Sequence, residues 1–127
     1  MKVEAKNIAR SVLVIGADKP FLYVLQNKLS AKGYDADHAY DRERALKLIE
    51  ERSFDLVLLD LMVSGIDGFT LLEKIKRSKE TKVVILSSLE QPEDKEKAES
   101  FGLSGFMNKS TTSIPFLIKE VDKILAG

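Results

Sequence analysis

Three kinds of reactive side chain stand just beyond apolar runs in this chain: carboxylates at Asp18 and Asp60, hydroxyls at Ser87 and Ser88, and an ammonium at Lys109. An aspartate can serve as a covalent nucleophile. Two acidic groups can hold Mg²⁺, which keeps several waters and takes only one or two protein carboxylates. A lysine and a hydroxyl can bind phosphoryl oxygens. Phosphoryl transfer is mostly positioning plus neutralisation of charge, so this small set suffices for it. The chemistry it suggests is acceptance of a phosphoryl group by Asp60.

These groups meet only if the runs that precede them lie parallel in one sheet, since in open α/β sheets ligands gather at the carboxyl ends of the strands. Leu56–Leu59 is short, unbroken and apolar, with Asp55 before it and Asp60 after it. Such a run reads as a strand buried on both faces, as at the centre of a parallel sheet. Ser11–Gly16 and Val83–Leu86 read the same way, Tyr34–Ala39 alternates like a half-exposed edge strand, and Phe106-Met107 is a short last strand running into Asn108 and Lys109.

The intervening segments have helical periodicity. Pro20 suits a first helical turn, where its missing N–H costs nothing. Phe21, Leu22, Leu25 and Leu29 then repeat at three and four up to a stop near Gly33. Asp41 is placed to cap a second helix, buried through Ala45, Leu46 and Ile49. Phe69, Leu72 and Ile75 mark a third. Pro92–Ser100 is nearly all charged and predicts a weakly packed fourth helix. Thr111, Thr112 or Ser113 caps a fifth, whose stripe runs from Ile114 through Leu117, Ile118 and Val121 to Leu125. Five strands alternating with five helices predict a doubly wound α/β domain with helices on both faces.

Composition narrows the partners. The 127 residues suffice for one domain, expected over 11–126, with residues 1–10 a tail or linker remnant. Lys plus Arg and Asp plus Glu both number 20, which argues against a nucleic-acid binder working by bulk charge. Absence of cysteine excludes disulfides and thiol catalysis, and one histidine builds no His cluster. No apolar run approaches the roughly 20 residues of a membrane span, and the first residues lack an apolar signal core. A cytoplasmic protein is expected.

The run LVLLDLMVSGIDGFTLLEKIK around Asp60, the strand Val83–Ser88 and the segment FGLSGFMNK ending at Lys109 together resemble the receiver domains of two-component response regulators (CheY-like), over about residues 11 to 126. The resemblance implies the flavodoxin-like strand order 2-1-3-4-5. It implies Asp60 as phospho-acceptor, Lys109 as phosphate-binding lysine, and Ser87 and Phe106 as switch positions. Mg²⁺ would be held by Asp18, Asp60 and the Met62 carbonyl. The phosphodonor would be a sensor histidine kinase or phosphotransfer protein. The output face would be formed by the fourth helix, fifth strand and fifth helix, serving a downstream protein or a homodimer. Such a domain promotes only its own phosphorylation and dephosphorylation and is not otherwise an enzyme.

Two departures stand out. Receivers usually carry two adjacent acids after strand one. Aligning on Pro20 puts Ala17 and Asp18 at those positions; a shift of one residue puts Gly16 and Ala17 there. Ser110 stands where the family usually has a proline joined by a cis bond. A cis bond before a non-proline residue costs about 2.5–4 kcal/mol, so Lys109–Ser110 is expected to be trans. These departures favour an alternative, a pseudo-receiver that works through protein contacts without metal-dependent phosphorylation. Plainer roles compete at several positions. Asp18 also reads as a helix cap, Phe106 as edge-strand packing, His38 as an exposed edge-strand residue, and Asp67-Gly68 as turn chemistry.

Overall fold

The computed structural model describes residues 9–61, 68–77, 80–87, 96 and 99–126. In chain order these form β1 (Ser11–Ile15), α1 (Lys19–Ala31), β2 (Asp35–Ala39), α2 (Arg42–Glu51), β3 (Leu56–Asp60), α3 (Gly68–Lys76), β4 (Lys82–Ser87), β5 (Gly105–Asn108) and α4 (Ile114–Ala126). The five strands make one sheet in the order β2-β1-β3-β4-β5, with every neighbouring pair parallel. The expected doubly wound, flavodoxin-like architecture is what the chain adopts.

Four helices fall among the described residues, against five expected. The segment predicted for the other, Pro92–Ser100, lies mostly outside them. Its described end is helical: Ser100 N–H donates to the Glu96 carbonyl at 3.1 Å, and Gly102 N–H to that of Glu99 at 3.0 Å.

Each face of the sheet buries one apolar cluster. Leu13, Ile15, Val57, Leu59 and Ile85 pack under α2 and α3; Val12, Val14, Leu58, Val84 and Leu86 pack under α1 and α4. All five residues of β3 are buried, because helices cover the central strand from both sides. Burying each such leucine contributes about 1.5–3 kcal/mol. The predicted helix stripes hold, with additions at Leu48 and Leu71, which are buried too.

Local chemistry sets the helix ends. Asp18 and Asp41 cap α1 and α2 by accepting from the N–H groups of Phe21 and Arg44 at 3.1 and 2.8 Å. Of the three hydroxyls offered for the final helix, the Ser113 side chain accepts from Phe116 N–H at 3.2 Å. Gly33, two residues past α1, has φ +96, a conformation glycine takes without strain. A Cβ on Gly68, the first residue of α3, would lie 2.5 Å from the Leu61 carbonyl oxygen. Only glycine lets that helix start so close behind the end of β3. Asp67 lies outside the described residues, so the turn reading is resolved at Gly68 alone.

His38 differs from expectation. It is half-buried rather than exposed, its ring held edge-on to Tyr23 at 4.9 Å and stacked on Tyr40 at 6.2 Å between centroids. Its Nδ1 meets Gln26 Oε1, while Gln26 Nε2 donates to the Ala36 carbonyl at 2.9 Å. Strand alternation alone does not reveal that α1 reaches over this part of the edge strand.

A polar clasp joins the two helices on one face of the sheet. The Tyr34 hydroxyl donates to Asp122, whose other oxygen lies 3.1 Å from Lys32 Nζ. Burial, then the hydrogen bond to Asp122 and its charge, push the Tyr34 phenol from 10.0 up to about 12. The same hydrogen bond holds Asp122 below its ordinary value. Between these two Tyr34 values the unfolded chain has lost a proton that the folded chain keeps, so stability falls as pH rises through that window. Urea midpoints measured between about pH 10 and pH 12 are expected to fall more steeply for the wild type than for Tyr34→Phe; parallel profiles would show that the clasp contributes nothing there.

Candidate functional site

The parallel register brings the predicted residues to one rim. Asp60 ends β3 and pairs with Leu86; Ser87 is the next residue of β4 and pairs with Asn108. Lys109 follows directly, and its backbone N–H donates to the Ser87 carbonyl at 3.0 Å, tying the exits of β4 and β5 together. Asp60 is 6% exposed and Ser87 1%, so both are sheltered polar groups. A buried polar group is tolerated where it has partners.

Lys109 is the centre of the site. Its Nζ lies 3.3 Å from Asp60 Oδ2 and 3.4 Å from Asp18 Oδ2. The same ammonium sits 4.9 Å from the centroid of the Phe21 ring, a cation–π distance. Helical periodicity places Phe21 in the buried stripe of the first helix and does not show this contact. Its dual position, with ring against the lysine and N–H on Asp18, follows from Asp18 being the cap of α1. Asp18 is thus at once the cap of α1 and a partner of Lys109.

The register also decides between the two alignments after strand one. Ile15 pairs with Leu59, which sets Gly16 beside Asp60. A Cβ on Gly16 would lie 3.2 Å from Asp60 Cβ and 3.7 Å from its Oδ2. The position facing Asp60 is thus glycine. Asp18 lies two residues further on and reaches back from the helix terminus.

The Lys109–Ser110 peptide is trans, as expected; the described residues hold no cis bond. Asn108 organises the loop instead of a proline. Its Oδ1 accepts from the N–H groups of Ser110 and Thr111 at 2.8 and 3.3 Å, the side-chain turn that asparagine favours. The residue type alone signals this turn, since asparagine side chains accept from N–H groups two and three residues on. Phe106 is half-buried on β5, paired with Ile85 and packed on the cluster beneath α2 and α3. Met62 and Ser88 lie outside the described residues.

The donor set can be tested against Mg²⁺. Two carboxylates, Asp60 and Asp18, flank one point at the rim, the position of the Lys109 ammonium. Asp18 already has both oxygens engaged, so these residues fit such an ion only where phosphate oxygens and waters complete its shell.

The molecule is thus a parallel doubly wound domain that brings a buried carboxylate and an ammonium together, beside a serine, at the carboxyl rim of its strands. A sequence profile of the response regulator receiver domain matches residues 12–121, and the chain belongs to that family. Solved relatives agree. A two-component response regulator from Clostridium difficile is 27% identical, with a TM-score of 0.85 covering 92% of this chain and 96% of that one. The receiver domain of the Francisella response regulator 1452 is 30% identical, with a TM-score of 0.81 over 92% and 97% of the two chains. The BeF3-activated receiver domain of DrrB, a Thermotoga maritima protein, is 25% identical, with a TM-score of 0.84 over 94% and 100%. Among the described residues no helix is long and apolar enough to cross a membrane.

Proposed function

We propose that this receiver domain is a phosphorylation-controlled signalling switch whose acceptor is Asp60. The observation that carries the reading is the convergence of Lys109 Nζ on the buried Asp60 carboxylate at 3.3 Å, between residues 49 apart in sequence. A phosphohistidine on a histidine kinase or phosphotransfer protein is the donor. An Asp60 oxygen attacks the phosphorus, the bond from phosphorus to the imidazole nitrogen breaks, and its electron pair returns to the ring. Lys109 neutralises charge on the transferred oxygens, and burial keeps water from the acyl phosphate. Mg²⁺, when bound by Asp60 and Asp18 with the Met62 carbonyl, supplies further charge neutralisation.

Ser87 and Phe106 then carry the change outward. A new dianionic group beside Lys109 biases the β4 exit toward the phosphoryl oxygens, and the face around β5 and α4 presents the result to a downstream protein or a second copy. The BeF3-activated form of the DrrB receiver supports an activatable state in a relative. A cytoplasmic location accords with a kinase-coupled switch.

Incubation with acetyl phosphate and Mg²⁺, followed by intact-mass measurement, tests the reading. Addition of one phosphoryl group, mapped to the peptide containing Asp60, is expected. No uptake from either the small donor or a cognate kinase would instead establish the pseudo-receiver, the alternative that the missing acid after β1 and Ser110 favour.

A further inference from the structure

Gly16 occupies the backbone position from which a side chain would start out alongside the Asp60 carboxylate, with an ideal Cβ 3.7 Å from Oδ2. As glycine it offers no ligand atom. The other described carboxylate at the pocket, Asp18, has both oxygens engaged: Oδ1 accepts from Phe21 N–H at 3.1 Å and Oδ2 from Lys109 at 3.4 Å. Among the described residues no three His, Cys, Asp or Glu side chains gather as a metal site. Lys109 meanwhile bridges both acids and rests on the Phe21 ring. A divalent ion entering that space must displace or crowd an ammonium bound to the same oxygens, and like charges at such separations repel strongly.

Mg²⁺ gives up its waters reluctantly and is commonly bound by a carboxylate or two plus substrate phosphates. We propose that the residues after β1, Gly16 with no ligand atom and Asp18 with both oxygens engaged, do not fit a resting divalent ion, so that Lys109 is the resting counter-ion of Asp60 and a divalent ion is held only together with the phosphoryl group. The second half rests on the phospho-acceptor reading; the first does not. In this scheme Gly16 sets the order of events. The ion arrives with the donor rather than waiting in the pocket, and resting protein stays insensitive to the Mg²⁺ concentration around it.

Calorimetric titration of Mg²⁺ into the full chain without phosphodonor tests the first half. Gly16→Asp, which adds the missing oxygen ligands, is expected to bind at least about tenfold more tightly than the wild type, since affinity for such ions follows ligand charge count. Gly16→Ala adds bulk without a ligand and is expected to stay weak. Wild-type affinity equal to that of Gly16→Asp would overturn the proposal. If Gly16→Asp does not fold, Lys109→Met carries the test: removing the resting cation is expected to tighten resting Mg²⁺ binding, and unchanged or weaker binding overturns it. Repeating the wild-type titration with beryllofluoride, a phosphoryl mimic, is expected to raise affinity about tenfold or more through the added ligand atoms. No rise would remove the second half. Failure of phosphoryl uptake would remove the second half and leave the first, which the titrations without phosphodonor decide by themselves.

Discussion

Asp60→Asn is expected to abolish phosphoryl uptake while leaving the fold intact. A neutral amide oxygen is a poor nucleophile, and loss of a covalent nucleophile costs roughly 10³-fold or more wherever the rest of a site acts with it as a unit. The packing argument points the other way. Asparagine has nearly the shape of aspartate, and its Oδ1 can still accept from Lys109, which also keeps its pairing to Asp18 at 3.4 Å. β3 retains its five buried residues and its pairing to β4. Intact mass after acetyl phosphate and a thermal melt of the same sample separate the two effects. Undiminished uptake in the variant would move the acceptor to another carboxylate.

Lys109→Met is expected to slow transfer to Asp60 by about 10²–10³-fold, the scale seen when one charge-stabilising group is removed from a developing anion. Methionine preserves the length and apolar stem of the side chain against Phe21, and the backbone bond from residue 109 to the Ser87 carbonyl does not depend on the side chain. What disappears is the positive charge 3.3 Å from the Asp60 carboxylate. Time courses with a small phosphodonor check this, because they need no docking surface. A rate within about twofold of wild type would mean that Lys109 is not gripping the transferred oxygens. The same variant is expected to bind resting Mg²⁺ more tightly, so slower transfer and stronger metal binding should appear together.

How far the chain could be read in advance differs between its parts for physical reasons. Continuous apolar runs such as Val83–Leu86 and stripes such as Leu22, Leu25 and Leu29 report burial through local periodicity, and the structure buries them. Caps at Asp18, Asp41 and Ser113 are equally local, because the acceptor and the N–H it serves are three residues apart. The contacts of His38 were misread because they depend on which face α1 turns toward β2. The same holds for Phe21, whose ring meets a lysine from the far end of the chain.

Residue types and spacing by themselves determined the class of fold and singled out Asp60 and Lys109, which the structure brings together, since strand polarity in an alternating β/α chain sends every strand exit to one rim. Only the tertiary structure decided which residue stands beside Asp60. Near Pro20 two alignments one residue apart satisfied the local pattern equally well. Pairing of Ile15 with Leu59 resolved them by placing Gly16 against Asp60. Register between strands is set by packing across the sheet, through contacts that no single stretch of the chain contains.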